Sequence, residues 1–205
     1  MIRNIVFDVG NVLVRWDPLG IVQAAYGLEG EAAESKREAI FGTSDHFRAL
    51  NRGEMTVEET KAAYVAEGVL DEKEADALFA ALYESLTPVP GTEELMVRLK
   101  NAGFGIYALT DNVHEIVAYL KETRSFWPHF QGAAVSADIG CLKPDPRIYL
   151  HLLETHGLEP EATVFFDDLP GNVAGAKEHG MHAFVFTTAE QMEADLATLG
   201  VEPPR

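Results

Sequence analysis

The chain has 205 residues, enough for one sizeable core or a core with a small inserted domain, and too few for two full enzymes. At 47% hydrophobic and 24% charged it is neither disordered nor fibrous, and no apolar stretch reaches membrane-spanning length. Its 33 acidic residues against 16 basic ones give a formal charge of -17, which opposes nucleic acid as a partner and requires any anion site to rely on locally placed cations.

Met1–Asn4 leads into a short apolar run that Asp8 interrupts, without the apolar core of a signal peptide, so a cytoplasmic location is expected. Ile2–Val9 reads as a buried strand, because Ile5, Val6 and Phe7 run together without alternation, and Gly10-Asn11 ends it. From Asp17 to about Leu86 only helical patterns occur, which marks an insertion. Thr56 with Glu59 forms a capping box, Asp71 with Glu74 repeats it with an Asp cap, and Leu78, Leu82 and Leu86 form an apolar stripe read as helix packing. Thr87-Pro88-Val89-Pro90-Gly91 is a stiff, turn-prone join suited to a boundary.

Beyond it, helices and strands alternate. A helix over Glu93–Ala102 stops at Gly103, and further strands are predicted at Gly105–Leu109, Ala133–Val135, Thr163–Phe166 and Ala183–Phe186. Helical patterns over Pro146–Leu153 and Asn172–Lys177 end at Gly157 and Gly180. This rhythm implies an α/β fold with a parallel sheet covered on both faces. Residues 1–16 and 88–205 are expected to form the core and 17–87 a helical cap. Cys141, the single cysteine, has no partner for an internal disulfide or a zinc site and is read as a small buried residue.

Ligands collect at the carboxyl ends of strands in such sheets, so the residues just after each strand belong together. They are Asp8-Val9-Gly10-Asn11-Val12, Thr110-Asp111-Asn112, Lys143-Pro144-Asp145, and Asp167-Asp168 with Asn172. Each alone is an ordinary turn; jointly they describe phosphoryl transfer through a carboxylate, a covalent route that divides one hard step into two. Asp8 attacks, while Lys143 and a Mg2+ held by Asp8 and Asp168 supply positive charge. Thr110, and the amides of the turn around Asp111 and Asn112 that opens the next helix, hold the remaining phosphate oxygens. The like-charged pair Asp167-Asp168 is costly without a cation, which favours a metal there.

This pattern resembles the haloacid dehalogenase superfamily over essentially the whole chain, with Asp8–Val12, Thr110, Lys143 and Asp167-Asp168 matching its four motifs. The resemblance implies a Rossmann-like, three-layer core with strand order 5-4-1-2-3, a C1-type cap, and Asp8 as nucleophile. It also implies the Gly10 backbone carbonyl as a metal ligand and ranks Asp168 above Asp167 for the metal. The phosphatases of the family carry a second Asp two residues after the nucleophile as general acid and base, and Gly10 occupies that position. Phe7-Asp8-Val9-Gly10-Asn11-Val12 resembles sugar-phosphate phosphatases that include α-D-glucose-1-phosphate phosphatases, whose anomeric leaving oxygen depends less on an acid.

The expected activity is therefore a Mg2+-dependent phosphatase acting on a small phosphorylated metabolite, a sugar phosphate by resemblance. A metal-free 2-haloacid dehalogenase using the same Asp8, and a phosphate-binding pseudoenzyme, are the alternatives. Asp45 and His46, near Arg48 in the cap, are candidates to replace the missing acid or else are surface residues. His114 is a candidate phosphate contact or an exposed first-turn residue, and Trp16 lines the substrate site or seals the hinge.

Overall fold

In the computed structural model, which describes residues 1–202, the first strand, β1 (Asn4–Phe7), is followed by five helices that precede the alternating half. These are α1 (Pro18–Tyr26), α2 (Gly30–Arg37), α3 (His46–Asn51), α4 (Val57–Ala66) and α5 (Glu72–Ser85), with one π turn (Glu38–Gly42) after α2. Pro18 starts α1 where its missing N–H costs nothing. Both capping boxes form as the sequence predicts. The Thr56 and Asp71 side chains accept the N3 backbone N–H, while Glu59 and Glu74 accept from the cap N–H in return. Leu78, Leu82 and Leu86 are buried.

The alternating half consists of α6 (Thr92–Asn101), β2 (Gly105–Thr110), α7 (His114–Thr123), β3 (Gly132–Val135) and α8 (Ser136–Ile139). It continues with α9 (Pro146–His156), β4 (Thr163–Asp167), α10 (Pro170–Glu178), β5 (His182–Val185) and α11 (Ala189–Thr198). The β1 ladder is shorter than the predicted Ile2–Val9 because Ile2 and Val9 are buried outside it; their apolar character reflects burial rather than pairing. Phe186 likewise lies beyond β5 and is buried.

All strand pairs are parallel, in the order β3-β2-β1-β4-β5, which is the expected 5-4-1-2-3 arrangement. Each strand feeds both faces. Ile5, Phe7, Ile106, Ala108, Val164 and Phe166 pack in one cluster with residues of α6, α7 and α11. Val6, Leu109 and Phe165 pack in a second with residues of α9 and α10. Two-sided burial is what makes these strands read as unbroken apolar runs. The order reverses at β1, whose neighbours are β2 and β4, so the crevice beyond their carboxyl ends is the ligand-binding position of such a sheet.

The chain leaves the sheet half and returns to it through two paired segments. Arg15 N–H donates to Thr87 O at 2.8 Å, Val89 N–H donates to Leu13 O at 2.8 Å, and Val14 bridges Pro88 between them. Pro88 fits this ribbon because the hydrogen bonds use its neighbours and need no donor from the proline.

A second connection lies past the end of α3. Ser136 Oγ donates to Asn51 O at 2.6 Å and accepts from Asn112 N–H at 2.9 Å, tying the helical segment to the strand ends. Gly53 makes the closest approach: its φ is +70°, and a Cβ there would lie 2.2 Å from Ala137 O. Gly53→Ala is therefore expected to cost at least the roughly 1–2 kcal/mol of left-handed backbone and to displace the segment from Ala137. Thermal unfolding should fall by about 3 °C or more. An unchanged melting temperature would show that the contact bears no load.

Candidate active site

Asp8 follows β1 directly, and its position is set by pairing, since its N–H donates to Phe166 O of β4 at 2.9 Å. Its Oδ1 accepts Val9 N–H at 2.7 Å and lies 2.9 Å from Lys143 Nζ. Lys143 reaches this point from the loop between α8 and α9. Its N–H is held by Asp111 Oδ1 at 2.9 Å, and its buried ammonium donates to Leu109 O at 3.1 Å and to Asp167 Oδ2 at 2.7 Å. Lys143 thus bridges two carboxylates.

Asp167 and Asp168 differ. Asp167, at the end of β4, is fully buried and saturated: Oδ1 accepts from Leu169 N–H and Asn172 Nδ2, and Oδ2 from Lys143 Nζ and Asn172 Nδ2. Asp168 is half-buried, and its Oδ2 accepts Asn11 Nδ2 at 2.9 Å. Asn11 holds the loop after Asp8 in shape. It takes a φ of +54°, which asparagine tolerates better than most residues, and its Oδ1 accepts Trp16 N–H at 2.9 Å.

Carboxylate oxygens of Asp8, Asp167 and Asp168 lie within 4.8 Å of one another. With all three ionised, three carboxylates against the one ammonium of Lys143 leave two negative charges, and a bound cation is what would favour that state. Burial pushes the Asp8 carboxyl up to about 8, against the pull of Lys143 and with added repulsion from Asp167. Burial also raises Asp168 and Asp111. Burial alone would discharge Lys143, but Asp8, Asp167 and Asp111 outweigh it and push the ammonium up, so it stays charged. The donor set is all oxygen and carries the charge of one divalent cation, so it fits a hard dication such as Mg2+.

These groups open onto a cavity of about 430 Å³ lined by Asp8, Gly10, Asp111, Asn112, Lys143 and Asp168 on the strand-end side. Thr110 is buried at the end of β2 and is not among the lining residues, so the wall there is Asp111 and Asn112. Two amides expected to face an anion are already committed. Asn112 N–H donates to Ser136 Oγ, and Val113 N–H donates to Asn112 Oδ1. His114 is exposed and faces Asp138 at 3.3 Å, outside the lining.

The helical segment contributes Trp16, Pro18, Phe47, Arg48, Asn51 and Leu86. Asp45 and His46 are not among them. Asp45 is exposed and pairs with Arg52 at 2.9 Å, while His46 packs edge-on against Tyr64 and lies 2.9 Å from Glu67. The reason is phase: Phe47, Arg48 and Asn51 share one side of the short α3, and Asp45 and His46 fall elsewhere on its turn. Arg48 and Lys143 are the cations of the lining among the described residues. Trp16 does line the cavity, stacked on Phe47 at 5.5 Å. Cys141 is buried, as expected.

A family model of haloacid dehalogenase-like hydrolases matches residues 2–180. Among curated relatives, a sesquiterpene phosphatase of Aspergillus oryzae is 27% identical over 176 residues, covering 86% of this chain and 85% of its own. A flavin mononucleotide hydrolase of Arabidopsis thaliana is 26% identical over 198 residues, covering 96% and 77%. A solved enzyme of the same family from Bacteroides thetaiotaomicron, in complex with magnesium and inorganic phosphate, superposes with a TM-score of 0.75 at 22% identity, covering 92% and 96%. The L-2-haloacid dehalogenase of Xanthobacter autotrophicus gives 0.67 at 20% identity, covering 100% and 85%.

Proposed function

The chain belongs to the haloacid dehalogenase-like hydrolases, and from that premise we propose that it is a Mg2+-dependent phosphatase acting on a small phosphorylated metabolite. The observation that carries this reading is the clustering of three carboxyl groups, Asp8, Asp167 and Asp168, around one lysine, an excess of acid that a cation would balance. A dehalogenase that attacks carbon with a single carboxylate has no use for that excess. Relatives named as phosphatases support a phosphate ester as the substrate class. The motif around Asp8 adds an anomeric sugar phosphate as the reading by resemblance. Residues 17–87 serve in this proposal as the cap.

Asp8 and Asp168, with the Gly10 carbonyl, are the residues that would hold the cation. Bound there, Mg2+ supplies charge that draws a phosphate dianion towards an anionic nucleophile. Lys143 fixes Asp8 through Oδ1, so Oδ2 is the oxygen that attacks phosphorus. Asp167 holds Lys143 in place and does not touch the substrate. Arg48 supplies, at the cavity wall, the local cation that a chain of charge -17 needs to attract an anion. Water then cleaves the aspartyl phosphate and returns Asp8.

Phosphate release from a panel of monoesters, with Mg2+ and with excess EDTA, tests the proposal. Activity should vanish with the chelator and return with Mg2+. Undiminished turnover in EDTA, or halide release from a 2-haloacid, would sink it in favour of the dehalogenase. No release from any ester would leave the pseudoenzyme.

A further inference from the structure

Away from the strand ends the cavity is walled by carbon. Trp16 and Phe47 lie face to face with an interplanar angle of 16°, and Phe41 meets both rings edge-on. Leu86 and Ile116 also line the cavity, and Leu169 does so although it is 55% exposed, an apolar side chain that packing does not account for. Polar side chains on the helical side are Arg48 and Asn51, and Asn51 already donates to Phe47 O at 2.7 Å. A hydroxyl-rich alcohol finds few partners on such a surface. An aromatic ring finds offset-stacking and edge contacts.

A second observation is independent of the first. Gly10 has no side chain and Asp45 and His46 lie outside the cavity, so none of these three positions gives the leaving oxygen a proton. Aryloxides leave without one far more readily than alkoxides.

We propose that the substrate is the phosphate monoester of a flat aromatic alcohol, its ring seated against Trp16 and Phe47. This rests on the phosphatase reading and replaces the sugar by an aryl group. As Asp8 Oδ2 bonds to phosphorus, the phosphorus–oxygen bond to the aryl group breaks and the aryloxide leaves with the electron pair, to be protonated by solvent. Water then attacks phosphorus, yielding inorganic phosphate and the Asp8 carboxylate, with its proton passing to solvent.

The test compares kcat/KM for 2-naphthyl phosphate, phenyl phosphate and α-glucose 1-phosphate in the presence of Mg2+. Naphthyl and phenyl esters have similar leaving groups, so their ratio reports contact with the second ring. It should be about tenfold or more, the effect of burying one further apolar fragment, with the glucose ester below both. Trp16→Leu and Phe47→Leu, each checked for native circular dichroism, should bring the naphthyl-to-phenyl ratio towards one. A wild-type ratio near one, or a preference for the glucose ester, overturns the aromatic substrate while leaving the phosphatase reading intact. Release from none of the three, with other esters hydrolysed, also overturns it. Release from no ester at all removes both.

Discussion

Asp8→Asn should abolish ester hydrolysis, by about 10⁴-fold or more, as loss of a covalent nucleophile does. The fold should survive, because the substitution leaves Lys143 and Asp167 as a balanced pair 2.7 Å apart. The pH dependence makes the case specific. With its folded-state value raised to about 8 from an ordinary 3.8, Asp8 binds more protons folded than unfolded between those limits. Its ionisation therefore opposes folding, and that opposition grows as pH rises from about 4 and is complete above about 8. In EDTA, melts of wild type and variant should nearly coincide at pH 4, and the variant should melt higher at pH 8. Wild-type levels of acid-stable phosphate on the variant, or a variant less stable than wild type at pH 8, would refute the assignment of Asp8.

The strand-end residues were legible because the fold exposes its logic in the sequence. Each strand is buried on both faces and then stops, so Asp8, Asp111 and Asp167-Asp168 stand out as charges at the ends of apolar runs. The two neighbours of the Asp167-Asp168 pair are bonded differently: Asn172, Leu169 N–H and Lys143 use both oxygens of Asp167, whereas Asp168 accepts from Asn11.

The helical side was legible as helices but not as a wall. Capping boxes depend on three-residue spacing and are visible locally, whereas the stacking of Trp16 on Phe47 joins residues 31 positions apart. The six residues of α3 are too few for an apolar period to fix its phase, so the sequence singles out Asp45 and His46 by their chemistry and gives no signal for Phe47. Ser136 carried no signal of its own. Its hydroxyl matters only because the fold sets Asn51 O on one side of it and Asn112 N–H on the other.

Gly10→Asp should raise kcat/KM for esters with poor leaving groups by about 10²–10⁴-fold and flatten the dependence of rate on leaving-group pKa. Position 10 accepts the change. Gly10 does not take a left-handed backbone, and the nearest atom to an added Cβ is Trp16 Cβ at 3.7 Å, an ordinary contact. The residue lines the same cavity as Asp8, two positions on in the chain, so a carboxyl group added there is placed at that cavity's wall. Wild type lacks this group, and its rates should fall steeply from aryl to primary alkyl esters. In the variant the acid supplies most where the leaving group is worst, so aryl esters should gain little. The measurement is kcat/KM for both proteins over a graded ester series. A flat wild-type profile would mean that a proton donor already serves the site. Asp111 is then the first suspect, because it lines the same cavity and burial raises its carboxyl against the pull of Lys143. Asp111→Asn would separate the cases, by steepening a flat profile if Asp111 is the donor.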